Sequence, residues 1–556
     1  MSARDDTPLP APPVLRTGGI LDRLAALRAA DAPTHGGRVL SYVYDPDLAE
    51  LDALAGDAIR AVQPLNALDP TTFSSVAVME RELVAFARDM LGGTGAQDAS
   101  GVVGTVTSGG TESCLLAVKT ARDAFLAAQP PRADGTPHTL ATLGFAPRLV
   151  APSTVHAAFH KAATYLGLDL VLVPVDPTSC RAVPAAMAAA VGDGSDVALV
   201  VVSAPSYPHG VVDPVEEVAA AASALGVPVH VDACVGGWVL PFWPDDAAHV
   251  PPFDLRVPGV TSISADVHKY GYAPKGASIL LTRDRDRQRH QLFATTRWPG
   301  YPVVNSTIMG SKSAGPLAAA WAVTQALGVP GYRAVTARCA VATLALREVL
   351  DTIEGLRVVG DPVGPLVAVA TDESVPADRQ VDPHVWSDAV RASGFVLQPQ
   401  PGYTQPDGTR LPHTTHLTVT PVTAGVVDEL GAALVTAAQA VRGVPRPDPQ
   451  DVLGALVSTL APGVPAPEVL AALGALDSRA AWDLVQAAVL GGSDPRGGDA
   501  PEPGTGPMAP LLSLVEALPA PVSERLLVEL IARLAEPVPP PTGFSTSPRP
   551  GGRTVR

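Results

Sequence analysis

Between about residues 75 and 285 the chain alternates segments of helical spacing with short runs that are almost wholly apolar: VVGTVTS, RLVAPS, LVLVPV, VALVVVSAP, VPVHVDA, VTSISA and SILLT. Runs this short and this apolar, bounded by turn residues, predict strands buried on both faces. Strands of that kind separated by helices predict an α/β domain: a mainly parallel seven-stranded sheet with helices on both faces and any ligand at the carboxyl ends of the strands. Upstream, ILDRLAALRAA (20–30) and LAELDALAGDAIRAV (48–62) carry apolar residues at helical spacing, after a polar, proline-rich stretch (1–16) that reads as a mobile arm. Downstream, a long helical segment from 331, the runs LRVVG, LVAVAT, FVLQPQ and HLTVT, and the helix DELGAALVTAAQAVRG predict a smaller α+β unit.

The pattern divides the chain into an N-terminal arm and helices (1–65), a large α/β domain (66–330), a small α+β domain (331–442) and a Pro/Ala-rich helical extension (443–556), in which 491–507 reads as a disordered linker. At 556 residues and 47% hydrophobic the chain can bury a sizeable core. Its formal charge of −16, without a long basic block, argues against nucleic acid and anionic membrane surfaces and in favour of small molecules. No run has the length of a membrane span, and the start lacks the apolar core of a signal peptide. Cys114, Cys180, Cys234 and Cys339 are widely separated, which argues against a disulfide framework or a metal site and fits a reducing cytoplasm.

Three stretches carry candidate chemistry. In VGTVTSGGTESCLLAVKTARD a strand turns through SGGTES into a helix, so the free N–H groups around Gly110 and Thr111 make an anion site, though a glycine turn with a Thr or Ser cap would look the same. In VPVHVDACVGG, Asp232 ends an apolar strand, where a carboxylate needs a cationic partner or a capping role. In SADVHKYGYAPKG a turn leaves Lys269 at one strand's end and Lys275 at the next strand's start; either lysine could equally be snorkelling to water. Pyridoxal phosphate is the one ligand that uses all the parts: a lysine for a Schiff base, an acid at its ring nitrogen and a phosphate cup.

Together TVTSGGTES, APSTVHAAFHKAA, HVDACVGG and SADVHKYGYAPKG resemble sphingosine-1-phosphate lyase, within the fold-type I pyridoxal-phosphate decarboxylases and lyases. The resemblance implies that Lys269 joins the cofactor, with His268 beside it, that Asp232 holds the ring nitrogen and that His156 stacks on the ring. It further implies that Gly110 and Thr111 cup the phosphate and that Gly310 and Ser311 reach the same phosphate from a second subunit of an obligate homodimer. Asn66, Asp69 and Lys275 are the implied substrate-side residues, and Tyr207 and Ser203, placed just after a strand, could line the same pocket. The family's Asn-Pro-Leu-His-Pro segment is NALDP here, so Asp69 replaces a histidine expected to face a phosphate, and an anion there would repel one. Val303 or Val304 stands where the family has a tyrosine, with Tyr301 close by. The expected reaction is retro-aldol cleavage of an amino alcohol, with amino-acid decarboxylation or a silent binding module as alternatives.

Overall fold

The computed structural model describes residues 18–92, 101–460, 464, 468–470, 477–488 and 508–537. The expected arm at 1–16 and linker at 491–507 lie outside the described residues.

All seven apolar runs become strands of one sheet: β1 (Val103–Thr107), β2 (Arg148–Pro152), β3 (Asp169–Val173), β4 (Val197–Ser203), β5 (Val229–Asp232), β6 (Val260–Ala265) and β7 (Ser278–Thr282). Their order is β1-β7-β6-β5-β4-β2-β3. Only β7 runs against its neighbours; the other adjacent pairs are parallel. Every residue of β4, β5 and β7 is buried, as their β-branched, apolar composition requires of strands covered on both faces.

Two consequences of this order position the site. Because β7 reverses direction on both sides, β1 runs parallel to β4, β5 and β6, and all four end at one edge of the sheet. The register then aligns Ser203 with Asp232 and Asp232 with Ser264, a row of polar side chains at that edge of an otherwise apolar layer. The turns after these strands carry the segments beginning at Ser108, Ala204, Ala233 and Asp266, so the motifs of the sequence meet there.

A second sheet, antiparallel and four-stranded, takes the order Leu356–Val358, Leu366–Thr371, Thr414–Thr418, Gln398–Gln400. The helices Pro383–Arg391 and Val427–Val441 pack with each other beside it. The long helix Gly315–Asp351, kinked at Gly328 ahead of Pro330, packs on the helices Ala49–Val62 and Ser74–Met90 and joins the two regions. Further along, helix Pro449–Leu460 packs on Met508–Ala517 and Ser478–Ala488 on Ala520–Leu534. Glu516 fastens these helices to the rest: its carboxylate accepts from Arg446 at 2.7 and 2.9 Å, from Arg410 at 2.7 Å and from the Gly402 N–H at 3.0 Å. Burial would raise its pKa, but these donors outweigh it and hold the carboxyl ionised. Among the described residues no helix is long and apolar enough to cross a membrane.

Candidate active site

A cavity of about 400 Å³ opens at the carboxyl edge of the large sheet. Ser108 to Glu112 line one side, His156, Ser203 and Tyr207 another, and Asp232, Cys234, Asp266, His268 and Lys269 the floor.

Asp232 is held by a chain of hydrogen bonds that runs back along the strands. Its Oδ1 accepts from the Cys234 N–H at 3.1 Å and from Ser264 Oγ at 3.4 Å. Ser264 Oγ in turn lies 3.2 Å from His230 Nε2, whose Nδ1 is 2.8 Å from Ser262 Oγ. Because the Ser264 hydroxyl hydrogen points at the carboxylate, the network is consistent when Ser262 donates to His230 and His230 donates to Ser264. Burial pushes the His230 pKa down to about 4, against the pull of Asp232, so the ring is neutral and supplies one donor and one acceptor.

The motif SADVHKYGYAPKG forms a turn between β6 and β7 that is locked from below. Tyr270 is fully buried and its OH donates to the Val419 carbonyl at 2.7 Å, while Tyr332 OH donates to the Gly271 carbonyl at 3.1 Å. Tyr270 of the motif and Tyr332 of the long helix are therefore anchors, and the motif's other tyrosine, Tyr272, is buried at φ 58°, a left-handed conformation that the surrounding packing must impose. The turn leaves Lys269 Nζ 3.1 Å from Asp266 Oδ2, with His268 Nε2 3.5 Å from the same oxygen. Burial alone would drive Lys269 toward the neutral amine, but Asp266 outweighs it, with Tyr44 and Asp232 adding, and the ammonium is held well above its usual range. Asp266 mirrors this: burial raises it, Lys269 and His268 lower it further, and it stays ionised. Its Oδ1, however, is buried without a partner.

Across the cavity, the helix Gly110–Ala128 points its N-terminus at Lys269's side of the pocket. Gly110 cannot be replaced cheaply, since a Cβ there would lie 2.7 and 2.8 Å from the Asp266 carboxylate oxygens and 2.9 Å from Cys234 Sγ. Glu112 is engaged by backbone: it accepts from the Ser108 N–H at 2.6 Å and the Ile308 N–H at 2.8 Å, and so shapes the turn. His156 is both a cap and a cavity residue; its Nδ1 accepts from the Ala158 N–H at 3.2 Å, which leaves Nε2 free. Tyr207 donates to Gln398 Oε1 at 2.5 Å and stacks on His416, and burial raises its pKa, so it remains a phenol.

Lys275 does not line the cavity. Its Nζ donates to the His268 carbonyl at 2.9 Å and lies 4.5 Å from the centre of the Tyr44 ring. Although this side chain reaches solvent, burial first and the Lys269 charge second bring its pKa down to about 8.

Asn66, Asp69, Gly310 and Ser311 are brought together with each other, outside the cavity. Asn66 Nδ2 donates to Ser311 Oγ at 3.3 Å and its Oδ1 accepts from the Lys312 N–H at 3.3 Å. Asp69 is engaged in its own turn, accepting from Thr71 N–H and Oγ1 at 2.9 and 2.6 Å and from Thr72 N–H and Oγ1 at 3.3 and 2.9 Å. Those bonds bring its pKa down to about 2. The substrate-facing position expected for Asn66 and Asp69 is thus not what a single chain provides.

The sequence reading also passed over residues that the fold brings in. Tyr44, Cys114, Cys234 and Asp266 all surround Lys269, and the wide separation of the cysteines proved a poor guide: Cys114, Cys234 and Asp232 have ligand atoms within 4.8 Å of one another. Position in the motifs was the usable signal, because Cys114 lies one helical turn past Gly110 and Cys234 two residues past Asp232. A larger cleft, of about 970 Å³, lies beside the small sheet, where Arg410 and Arg446 are paired with Glu516 and His413 with Asp382.

The pyridoxal-dependent decarboxylase conserved domain matches residues 35–370, more than half of the chain. The chain belongs to this family. A second match, described as "Pyridoxal-dependent enzyme, C-terminal putative HTH domain", covers residues 450–533. Sphingosine-1-phosphate lyases are among its relatives: that of Dictyostelium discoideum is 38% identical over 57% of this chain and 56% of its own length, and that of Arabidopsis thaliana 35% over 71% and 67%. The chain spans between about half and two thirds of the length of these curated relatives. The structure of a Burkholderia pseudomallei sphingosine-1-phosphate lyase superposes with a TM-score of 0.68 at 30% identity, covering 79% of this chain and 94% of that one. A Lactobacillus brevis glutamate decarboxylase shares the fold at 20% identity and TM-score 0.64.

Pyridoxal 5'-phosphate is the cofactor of this family, and the cavity fits it. A buried lysine amine, a buried carboxylate anchored from below, a helix N-terminus kept open by Gly110 and an unpartnered Asp266 oxygen all face one volume large enough for a small ring and its phosphate. Lys269 and Asp232 would hold it, with Gly110 and Thr111 at the phosphate and His156 and His268 beside them.

Proposed function

We propose that this chain is a pyridoxal-phosphate-dependent carbon–carbon lyase that cleaves a small amino alcohol by a retro-aldol reaction, working as a cytoplasmic homodimer. The observation that carries the reading is the convergence of the Lys269 amine, the Asp232 carboxylate and the Gly110 helix end on one cavity. When bound, the cofactor supplies a carbonyl that condenses with amines and an electron-withdrawing ring that stabilises a carbanion.

The residues divide the remaining work. Asp266 Oδ2 accepts from the Lys269 ammonium and holds the amine in place at the cavity floor, with His268 Nε2 3.5 Å from the same oxygen. Asp232, fixed by Ser264 and the Cys234 N–H, presents its carboxylate to the cavity floor. Lys275, with a pKa of about 8, has a useful fraction of free amine near neutral pH and, once released from the His268 carbonyl, is suited to take the proton of a substrate hydroxyl. Tyr207 and His156 wall the cavity and limit water.

Two further observations favour this reading over decarboxylation and support the dimer. No arginine lines the cavity among the described residues, so a substrate carboxylate lacks its usual bidentate partner. Phe293, Trp298, Tyr301, Val304, Ile308 and Met309 are all exposed just ahead of Gly310, an apolar patch that a second subunit would cover while receiving Gly310 and Ser311. The four cysteines are free and buried, which supports a reducing compartment. Incubating the protein with candidate amino alcohols and amino acids tests the proposal: an aldehyde product is expected, and release of carbon dioxide without aldehyde would replace it with the decarboxylase reading.

A further inference from the structure

Two thiols and a carboxylate meet at the floor of the cavity, and the reaction proposed above uses only the carboxylate. Cys114 comes from the first turns of the Gly110–Ala128 helix, where side chains lean back toward the N-terminus and so toward the cavity. Cys234 comes from the turn after β5 and contacts Ser264 Oγ at 3.3 Å. Both line the cavity with Asp232, all three are buried, and their ligand atoms lie within 4.8 Å of one another.

This donor set has a definite chemical preference. Thiolates select borderline and soft cations over magnesium or calcium, and two thiolates with one carboxylate are a familiar zinc-type combination. Metal–sulfur bonds of about 2.3 Å in a tetrahedron put sulfur atoms about 3.8 Å apart, so side-chain shifts of about 1 Å close the site. The fourth position faces the cavity, by which an ion would enter.

We propose that, in the absence of cofactor, Cys114, Cys234 and Asp232 bind a soft divalent cation such as zinc or cadmium, and that this ion and pyridoxal phosphate exclude each other because both require Asp232. The exclusion, but not the metal site, rests on the role given to Asp232 above. The cavity would then have two mutually exclusive occupants, and a thiophilic metal would block cofactor loading.

The test uses the full chain stripped of cofactor and titrated with cadmium alone, following the ultraviolet thiolate-to-cadmium absorbance. One equivalent is expected to saturate it, and saturating pyridoxal phosphate to abolish it. Cys114→Ser and Cys234→Ser should each weaken binding by at least about tenfold, a conservative figure given that even groups that only orient a ligand are worth that much. Cys180→Ser and Cys339→Ser, at buried free cysteines elsewhere, should leave it unchanged. Circular dichroism identifies any variant that fails to fold, and Cys114→Ala or Cys234→Ala then takes its place. Absence of the band, its persistence in both cavity variants, or its indifference to pyridoxal phosphate overturns the proposal. Cadmium binding of the expected kind in a protein that releases no aldehyde would support the metal site while sinking the lyase reading.

Discussion

The cavity floor and the Asn66–Ser311 cluster are both built from motif residues, yet one is closed and the other open. Asp232, Lys269 and Gly110 sit at or just past the carboxyl ends of strands of one sheet and are fixed by groups from the same chain: Ser264 and His230 under Asp232, Asp266 beside Lys269, Tyr270 and Tyr332 beneath the turn. Asn66 and Ser311 hold only each other and nearby backbone, next to exposed apolar side chains. A sheet edge is sufficient to assemble the first; the second has the form of a half-site waiting for another surface. Substitutions should therefore behave differently in the two places.

The largest effect should come from Lys269→Ala, which removes the sole lysine lining the cavity among the described residues. Loss of the absorbance of covalently held pyridoxal phosphate and of all turnover is expected, with the fold unchanged. Bulk at the open cluster, as in Gly310→Trp, is expected to inactivate by a different route, since a Cβ at Gly310 meets no atom of its own chain within 4 Å. Mixing the two inactive proteins under exchange conditions should restore part of the activity, because a mixed dimer has one site with both Lys269 and Gly310 intact. No recovery despite exchange would show that the cluster serves its own chain.

Asp232→Asn comes next. The carboxamide keeps the shape but not the charge, and a fall in turnover of about a hundredfold or more is expected with cofactor still bound, the scale of losing a preorganised electrostatic partner. Ser264→Ala should cost about tenfold or less, because it removes one of the two hydrogen bonds that orient the carboxylate while sparing the Cys234 N–H. Equal losses in the two variants would mean that the charge of Asp232 is not what matters.

How far the sequence revealed these two regions follows from the kind of information each needs. Strands β1 to β7 were legible because each is a short apolar run between turn residues, and Asp232 and Lys269 were legible because polar groups at the ends of such runs stand out. The partnership of Cys114 with Cys234 was not, since it depends on β1 and β5 being separated by β7 and β6 in the sheet, an order that local pattern does not encode. Tyr44 was missed for the same reason: it reaches Lys269 from a segment without periodicity, ahead of the first sheet strand. The turn-capping role of Asp69 had a local signal of its own, for Asp-Pro-Thr-Thr is a sequence in which the carboxylate caps its own turn.

Lys275, which donates to the His268 carbonyl, offers a pH test. Its folded pKa of about 8 lies below the ordinary lysine value of 10.5, so the unfolded chain binds the extra proton more readily over that interval. Stability contributed by this site should accordingly rise as pH increases from about 8 toward 10.5, and Lys275→Met should flatten that part of the profile. If Lys275 also takes the substrate proton, the turnover profile of the wild-type protein should climb through pH 8 and the variant should lose that limb. A climb that persists in the variant would assign the base to another group.

The smallest effect is expected at Asp69, where the sequence suggested a decisive one. The carboxylate makes four hydrogen bonds to Thr71 and Thr72 and is exposed, so solvent and its own turn already satisfy it. Asp69→Asn keeps an acceptor oxygen for the Thr71 and Thr72 N–H groups while removing the charge, and should leave the melting temperature and the turnover of an uncharged amino alcohol nearly unchanged. What it tests is the substrate's far end. If a dimer brings Asp69 to the mouth of its partner's cavity, its charge repels a phosphate there, and the asparagine variant should lower KM for a phosphorylated amino alcohol while kcat stays the same, the pattern of altered ground-state binding. High salt should shrink the difference between the two proteins. An unchanged KM for the phosphorylated substrate would place Asp69 beyond the Debye length of any bound phosphate and confine its role to the turn it caps.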